Sequence, residues 1–124
     1  GAKKVFFTSD ISKFSSTKIK KSAGSSHTKH EYEFTTEEEI FKIIPDDYTW
    51  VAIETSKKAT NLYTTKLPKK CVFVVGNESY GMPQDFLAKC HQSVFIPMPG
   101  STKSLNVSHA LSVTIFEWYR QLFY

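Results

Sequence analysis

Apolar residues come in short runs along this chain, and each run is closed by a polar or chain-breaking stop. Residues 4–8 (KVFFT), 32–34 (YEF), 50–54 (WVAIE), 71–75 (CVFVV) and 93–96 (SVFI) are rich in β-branched and aromatic side chains and read as strands. The run at 50–54 is of the buried type. The run at 71–75 is the most strand-like, with no polar side chain except a thiol. Between the strands the pattern changes. Thr35-Thr36 followed by Glu37, Glu38 and Glu39 reads as a threonine N-cap with carboxylates in the first turn. That helix runs to about Ile44 and is ended by Pro45. Residues 17–23 predict a weak helix broken by Gly24, residues 56–67 a polar loop, and residues 82–89 a short helix.

The longest predicted helix covers residues 104–123. Leu105, Leu111, Ile115, Trp118 and Leu122 recur along one face, and Ala110, Val113, Phe116 and Phe123 widen it. Strands alternating with helices predict an α/β fold with a mostly parallel sheet flanked by helices. The last helix is apolar over more than half its surface. A second copy of the chain is therefore expected to cover part of it, with Phe116, Tyr119 and Phe123 at the contact.

Composition narrows the class. At 124 residues the expectation is one domain over the whole chain, 1–124. Apolar residues make up 40% and charged residues 23%, which excludes a disordered chain. No apolar run approaches the ~20 residues of a membrane span, and the N-terminus is not organised as a signal peptide. Cys71 and Cys90 match neither a disulfide framework nor a zinc module, so reduced thiols and a cytoplasmic setting are expected. His27 and His30 lie in a polar stretch without a third ligand, and no metal site is expected. The net charge of +4, carried by clustered lysines, suits a polyanionic partner and equally a solubilising surface.

The chemistry gathers in two loops. The first follows the strand at 71–75 and reads Gly76-Asn77-Glu78-Ser79-Tyr80-Gly81. Glycine lets the backbone turn and a ligand approach, and Asn77 and Glu78 offer acceptors. An ordinary strand-to-helix connection carries the same residues. The second loop, Ile96-Pro97-Met98-Pro99-Gly100 and onward through Ser104-Leu105-Asn106, opens the last helix. Ser104 reads as its N-cap. Asn106 is a poor helix former, so it serves the cap or a contact. His109 reads as a packing or surface residue. Ligands of open α/β sheets sit at such strand ends. No Walker loop, GxGxxG or GxSxG motif is present.

Taken together, VVGNESYG and IPMPGSTKSLNVSHA resemble the second and third motifs of the SpoU/TrmH family, the knotted RNA ribose 2′-O-methyltransferases of the SPOUT class. VFFTSD and KSAGSSH resemble, more weakly, the family's second strand and its Ser-Ala-Gly segment, so nearly the whole chain aligns. The resemblance implies a C-terminal deep trefoil knot, S-adenosylmethionine bound in it, and a homodimer. Carried over by position, it implies cofactor contacts from Glu54, Thr55, Val75, Gly76, Asn77, Gly81, Ile96, Pro97, Met98, Ser104 and Leu105. Glu78, Ser104 and Asn106 match family positions near the reacting groups.

One departure stands out. The family's first strand and first motif, with an asparagine and an arginine, have no counterpart here, and Gly1-Ala2 matches the motif's end. Arg120, in the last helix, cannot be matched to that arginine. The resemblance therefore leads to the expectation of an N-terminally truncated catalytic domain, acting on tRNA or rRNA but inactive alone. The competing reading is a non-catalytic knotted dimer that binds RNA or a protein.

Overall fold

The computed structural model describes residues 2–8 and 31–124. The helix expected at 17–23, the Ser-Ala-Gly segment, His27 and His30 lie outside the described residues. The chain divides into two compact units, Gly1–Pro45 and Asp46–Tyr124.

In the first unit, strands β1 (Lys4–Phe7) and β2 (Glu31–Phe34) pair in parallel, from Lys4 opposite Glu31 to Phe7 opposite Phe34. The Phe7 and Phe34 rings stack at 5.3 Å, and Lys4 Nζ meets Glu33 Oε2 at 2.7 Å. Helix α1 (Glu37–Ile43) starts as expected. Thr36 is the N-cap and its side chain accepts from the Glu39 N–H at 3.1 Å. Ile44 is extended, as a residue before proline must be.

The second unit is a four-stranded sheet in the order β4-β6-β3-β5, every pair parallel. Its strands are β3 (Thr49–Ile53), β4 (Thr60–Asn61), β5 (Cys71–Val75) and β6 (Gln92–Phe95). Helices α2 (Gln84–Lys89) and α3 (Val107–Phe123) complete it. Trp50, Val51, Ala52 and Ile53 are all buried, as both faces of a central parallel strand should be. Side chains alternate across the sheet. Val51, Ile53 and Val94 face a core shared with Leu62 and Leu67, against which Ala110, Leu111, Val113 and Trp118 of α3 pack. Trp50 points the other way, edge-on to Phe86 of α2 at 6.0 Å.

Several boundaries and one helix face differ from expectation. The segment 56–67 is not simply a polar loop: it holds β4 and a 3-10 turn at Leu62–Thr64, with Leu62 fully buried. Its polar residues satisfy local bonds, such as Asn61 Oδ1 accepting from the Tyr63 N–H at 2.9 Å, while Leu62 and Leu67 supply the core contacts. Helix α2 begins after Pro83, two residues later than expected. In α3, Phe116 and Phe123 stay exposed, and the buried residues are Thr114 and Glu117. These two can be buried because their polar atoms are bonded. Thr114 Oγ1 donates to Ala110 O at 2.9 Å. Glu117 accepts two bonds from Arg120, both at 2.8 Å, and one from Gln121 at 2.9 Å. Gln121 also donates to Thr65 O at 3.0 Å and accepts from the Leu67 N–H at 2.9 Å, tying α3 to the segment before β5.

Candidate functional site

Parallel strands end on one edge of the sheet, so the loops leaving β3, β5 and β6 meet there. They enclose a cavity of about 490 Å³, within the range of small-molecule sites.

The loop after β3 contributes Glu54 and Thr55. The Glu54 N–H donates to Val94 O at 3.0 Å, which continues the ladder and holds this residue at the cavity wall. Glu54 Oε1 is buried and has no hydrogen-bond partner among the described residues. A buried unpaired carboxylate oxygen is costly, and a ligand donor would satisfy it. Burial, with the Glu54 charge as a smaller cause, pushes the Cys90 thiol up to about 11.

The loop after β5 contributes Val75, Gly76, Asn77, Glu78 and Gly81. It is closed by reciprocal backbone bonds, Asn77 N–H to Gly81 O at 2.9 Å and Gly81 N–H to Asn77 O at 2.8 Å. Asn77 Oδ1 accepts from the Ser79 N–H at 2.7 Å, an Asx turn. Gly81 adopts φ +71°, a conformation that favours glycine. Gly76 is needed for a different reason. A Cβ there would lie 2.5 Å from Gly81 C and Met82 N. Beside its place in the cavity wall, Gly76 thus also makes room for the loop's own backbone.

The loop after β6 contributes Ile96, Met98, Ser104, Leu105 and Asn106. Pro97, expected with them, does not line the cavity. Its neighbours Ile96 and Met98 do. Ser104 does not cap the helix either. Asn106, at φ −52° and ψ 141°, stands directly before Val107 and takes the cap: its Oδ1 accepts from the Ser108 N–H at 3.0 Å and from Ser108 Oγ at 2.7 Å. Its Nδ2 donates to Glu78 Oε1 at 3.2 Å. His109 is exposed.

Sequence reasoning missed Ile53, Met82, Phe95, Lys103, Val107 and Ala110 in the wall. The apolar ones look like core in any periodicity, and only the fold turns them inward. Lys103 was legible as the cation next to Ser104. Among the described residues no group of three or more His, Cys, Asp or Glu is placed to hold a metal ion.

With this geometry in hand, similarity to known proteins is specific. The family model described as the SpoU rRNA methylase family matches residues 1–116. The 23S rRNA (guanosine-2′-O-)-methyltransferase RlmB of Salmonella typhi is 32% identical over 80 residues, 64% of this chain and 33% of that protein. RlmB of Pasteurella multocida is 45% identical over 73 residues, 58% of this chain and 29% of that protein. The chain thus spans about a third of the length of the curated relatives it matches. A solved RNA 2′-O ribose methyltransferase superposes with a TM-score of 0.81 at 26% identity, over 100% of this chain and 48% of that one.

Proposed function

The chain belongs to the SpoU rRNA methylase family, and we propose that it is the catalytic domain of an S-adenosylmethionine-dependent RNA ribose 2′-O-methyltransferase acting on tRNA or rRNA. The observation that carries this reading is the convergence of three strand-end loops on one cavity with an unpaired carboxylate oxygen, Glu54 Oε1, in its wall. The residues fit the cofactor. Ile53, Val75, Ile96, Met98 and Leu105 offer an apolar slot for adenine, with loop backbone groups beside it. The carboxylates of Glu54 and Glu78 suit the ammonium and sulfonium charges. When bound, the cofactor supplies a sulfonium methyl group for in-line transfer to a hydroxyl.

The chain's own residues hold the reaction geometry. Glu78 is oriented by Asn106, which joins the loops after β5 and β6. Ser104 and Asn106 can orient a ribose hydroxyl but cannot accept its proton at neutral pH. The trefoil knot and a homodimer belong to the same proposal. Side-chain bonds from Gln121 and Trp118 of α3 to Thr65, Leu67 and Pro68 support the first. The exposed rings of Phe116, Tyr119 and Phe123 support the second. A cytoplasmic setting is supported by two free thiols, and no helix among the described residues is long and apolar enough to cross a membrane.

The test is calorimetric titration with S-adenosylmethionine, followed by tritium-methyl incorporation into tRNA and rRNA transcripts. The transfer assay is run with this chain and with the family's Asn- and Arg-bearing first motif supplied ahead of it. Saturable cofactor binding and label in ribose 2′-hydroxyls are expected. Absence of cofactor binding would reject the proposal.

A further inference from the structure

The loop after β5 carries one feature that cofactor binding does not use. Tyr80 stands between the cavity-lining residues Glu78 and Gly81, yet its side chain is 76% exposed. Among the described residues it has no hydrogen-bond, ring or ion-pair partner. Its backbone is held all the same. The Asn77–Gly81 bonds, the Asx turn at Asn77 and the Glu78–Asn106 bond fix the loop on both sides of it. An aromatic ring displayed on a tied loop loses little freedom on binding, which favours its use as a platform. Across the site, Lys103 lines the same cavity and has no ion-pair partner among the described residues. Lys57 and Lys58 follow Thr55, at the loop after β3, and are exposed.

We infer that Tyr80 is a stacking platform for an unpaired base of the RNA whose ribose enters the cavity, with Lys103 holding a neighbouring phosphate. This rests on the proposed function and names how its substrate is seated. The occupant is single-stranded RNA. A base inside a duplex offers no free face, whereas an unstacked base does, and an exposed ring on one side of a cavity with an unpaired cation in its wall matches a base with its phosphates. Tyr80 positions the nucleotide and touches no reacting atom.

The test uses a single-stranded RNA 12-mer containing 2-aminopurine, and the same strand in a duplex. Anisotropy reports binding, and 2-aminopurine quenching reports stacking. Tyr80→Ala is expected to weaken single-strand binding on the order of tenfold and to relieve the quenching, the scale of one aromatic–base stack. Tyr80→Phe should restore both. Lys103→Gln should lower the log–log salt slope by about 0.7, one phosphate contact on a single strand. Unaltered affinity and quenching in Tyr80→Ala would overturn the inference, as would failure of the unaltered chain to bind the 12-mer or an equal effect on the duplex. Cofactor affinity, titrated in parallel, should be unchanged by Tyr80→Ala. Its absence in the unaltered chain would instead sink the proposed function and leave the stacking result readable.

Discussion

Asn106 uses both ends of its amide: the oxygen caps helix α3 at Ser108, and the nitrogen reaches Glu78 Oε1 at 3.2 Å. The orientation is fixed by the cap, since only the oxygen can accept the Ser108 N–H. One side chain therefore sets the start of the last helix and the loop after β5 together.

The two roles separate by substitution. Asn106→Asp keeps the cap and sets a carboxylate against Glu78, so cofactor affinity should fall while the melting temperature stays close to that of the unaltered chain. Asn106→Ala should lose both, with roughly 0.5–2 kcal/mol of stability lost with the cap. Calorimetric titration and thermal melts distinguish the outcomes. Affinity in both variants equal to that of the unaltered chain would show that the Glu78 contact is idle.

Gly76→Ala should be far more damaging than Gly81→Ala. At Gly76 the added carbon meets backbone at 2.5 Å, so the loop must move. At Gly81 an added carbon meets none of the described residues beyond its chain neighbours within 4 Å and only the φ of +71° is unfavourable, a cost of roughly 1 kcal/mol. Thermal melts and cofactor titration on both variants check the ranking.

Glu117 predicts an acid limb in stability. Hydrogen bonds from Arg120 first, then Gln121, hold its carboxyl down to about 2 from an ordinary 4.5. A group with a depressed folded pKa stabilises above its unfolded value and loses that contribution as pH falls toward the folded one. Stability should therefore decline from about pH 4.5 to about pH 2. Glu117→Gln should flatten that part of the curve. Urea denaturation across this range measures it, and an unchanged slope in the variant would reject the assignment.

Both cysteines should be slow to alkylate while the chain is folded. Burial pushes the Cys71 and Cys90 thiols up to about 11, so little thiolate exists at pH 8. Cys71 Sγ also donates to Pro68 O at 2.7 Å. Iodoacetamide labelling followed by mass spectrometry should show modification only after denaturation.

The proposed dimer predicts that Phe116→Lys yields a monomer. Phe116 is 72% exposed, so the change should leave folding intact while placing a charge in an apolar contact. Sedimentation at micromolar concentration decides it. A monomeric unaltered chain would reject the dimer itself.

Sequence alone determined what local chemistry controls. The run CVFVV reads as a strand and is one, half-buried at the sheet edge, Thr36 before three glutamates starts a helix, and Pro45 stops it. GNESYG and SLNVS were legible as loop chemistry because glycine, asparagine and glutamate have no reason to cluster at strand ends except turns and contacts. Tertiary structure decided what depends on partners distant in the chain. Ser104 and Asn106 are both acceptable caps by propensity, and the choice fell to Asn106, whose amide nitrogen also meets Glu78, 28 positions away. Glu117 and Thr114 read as polar positions on an apolar helix, yet they are the buried ones, because Arg120, Gln121 and the helix's own carbonyl satisfy them. Gly76 was legible as a permissive turn, but that its missing side chain makes room for the backbone of Gly81 and Met82 is a distance only the folded loop defines.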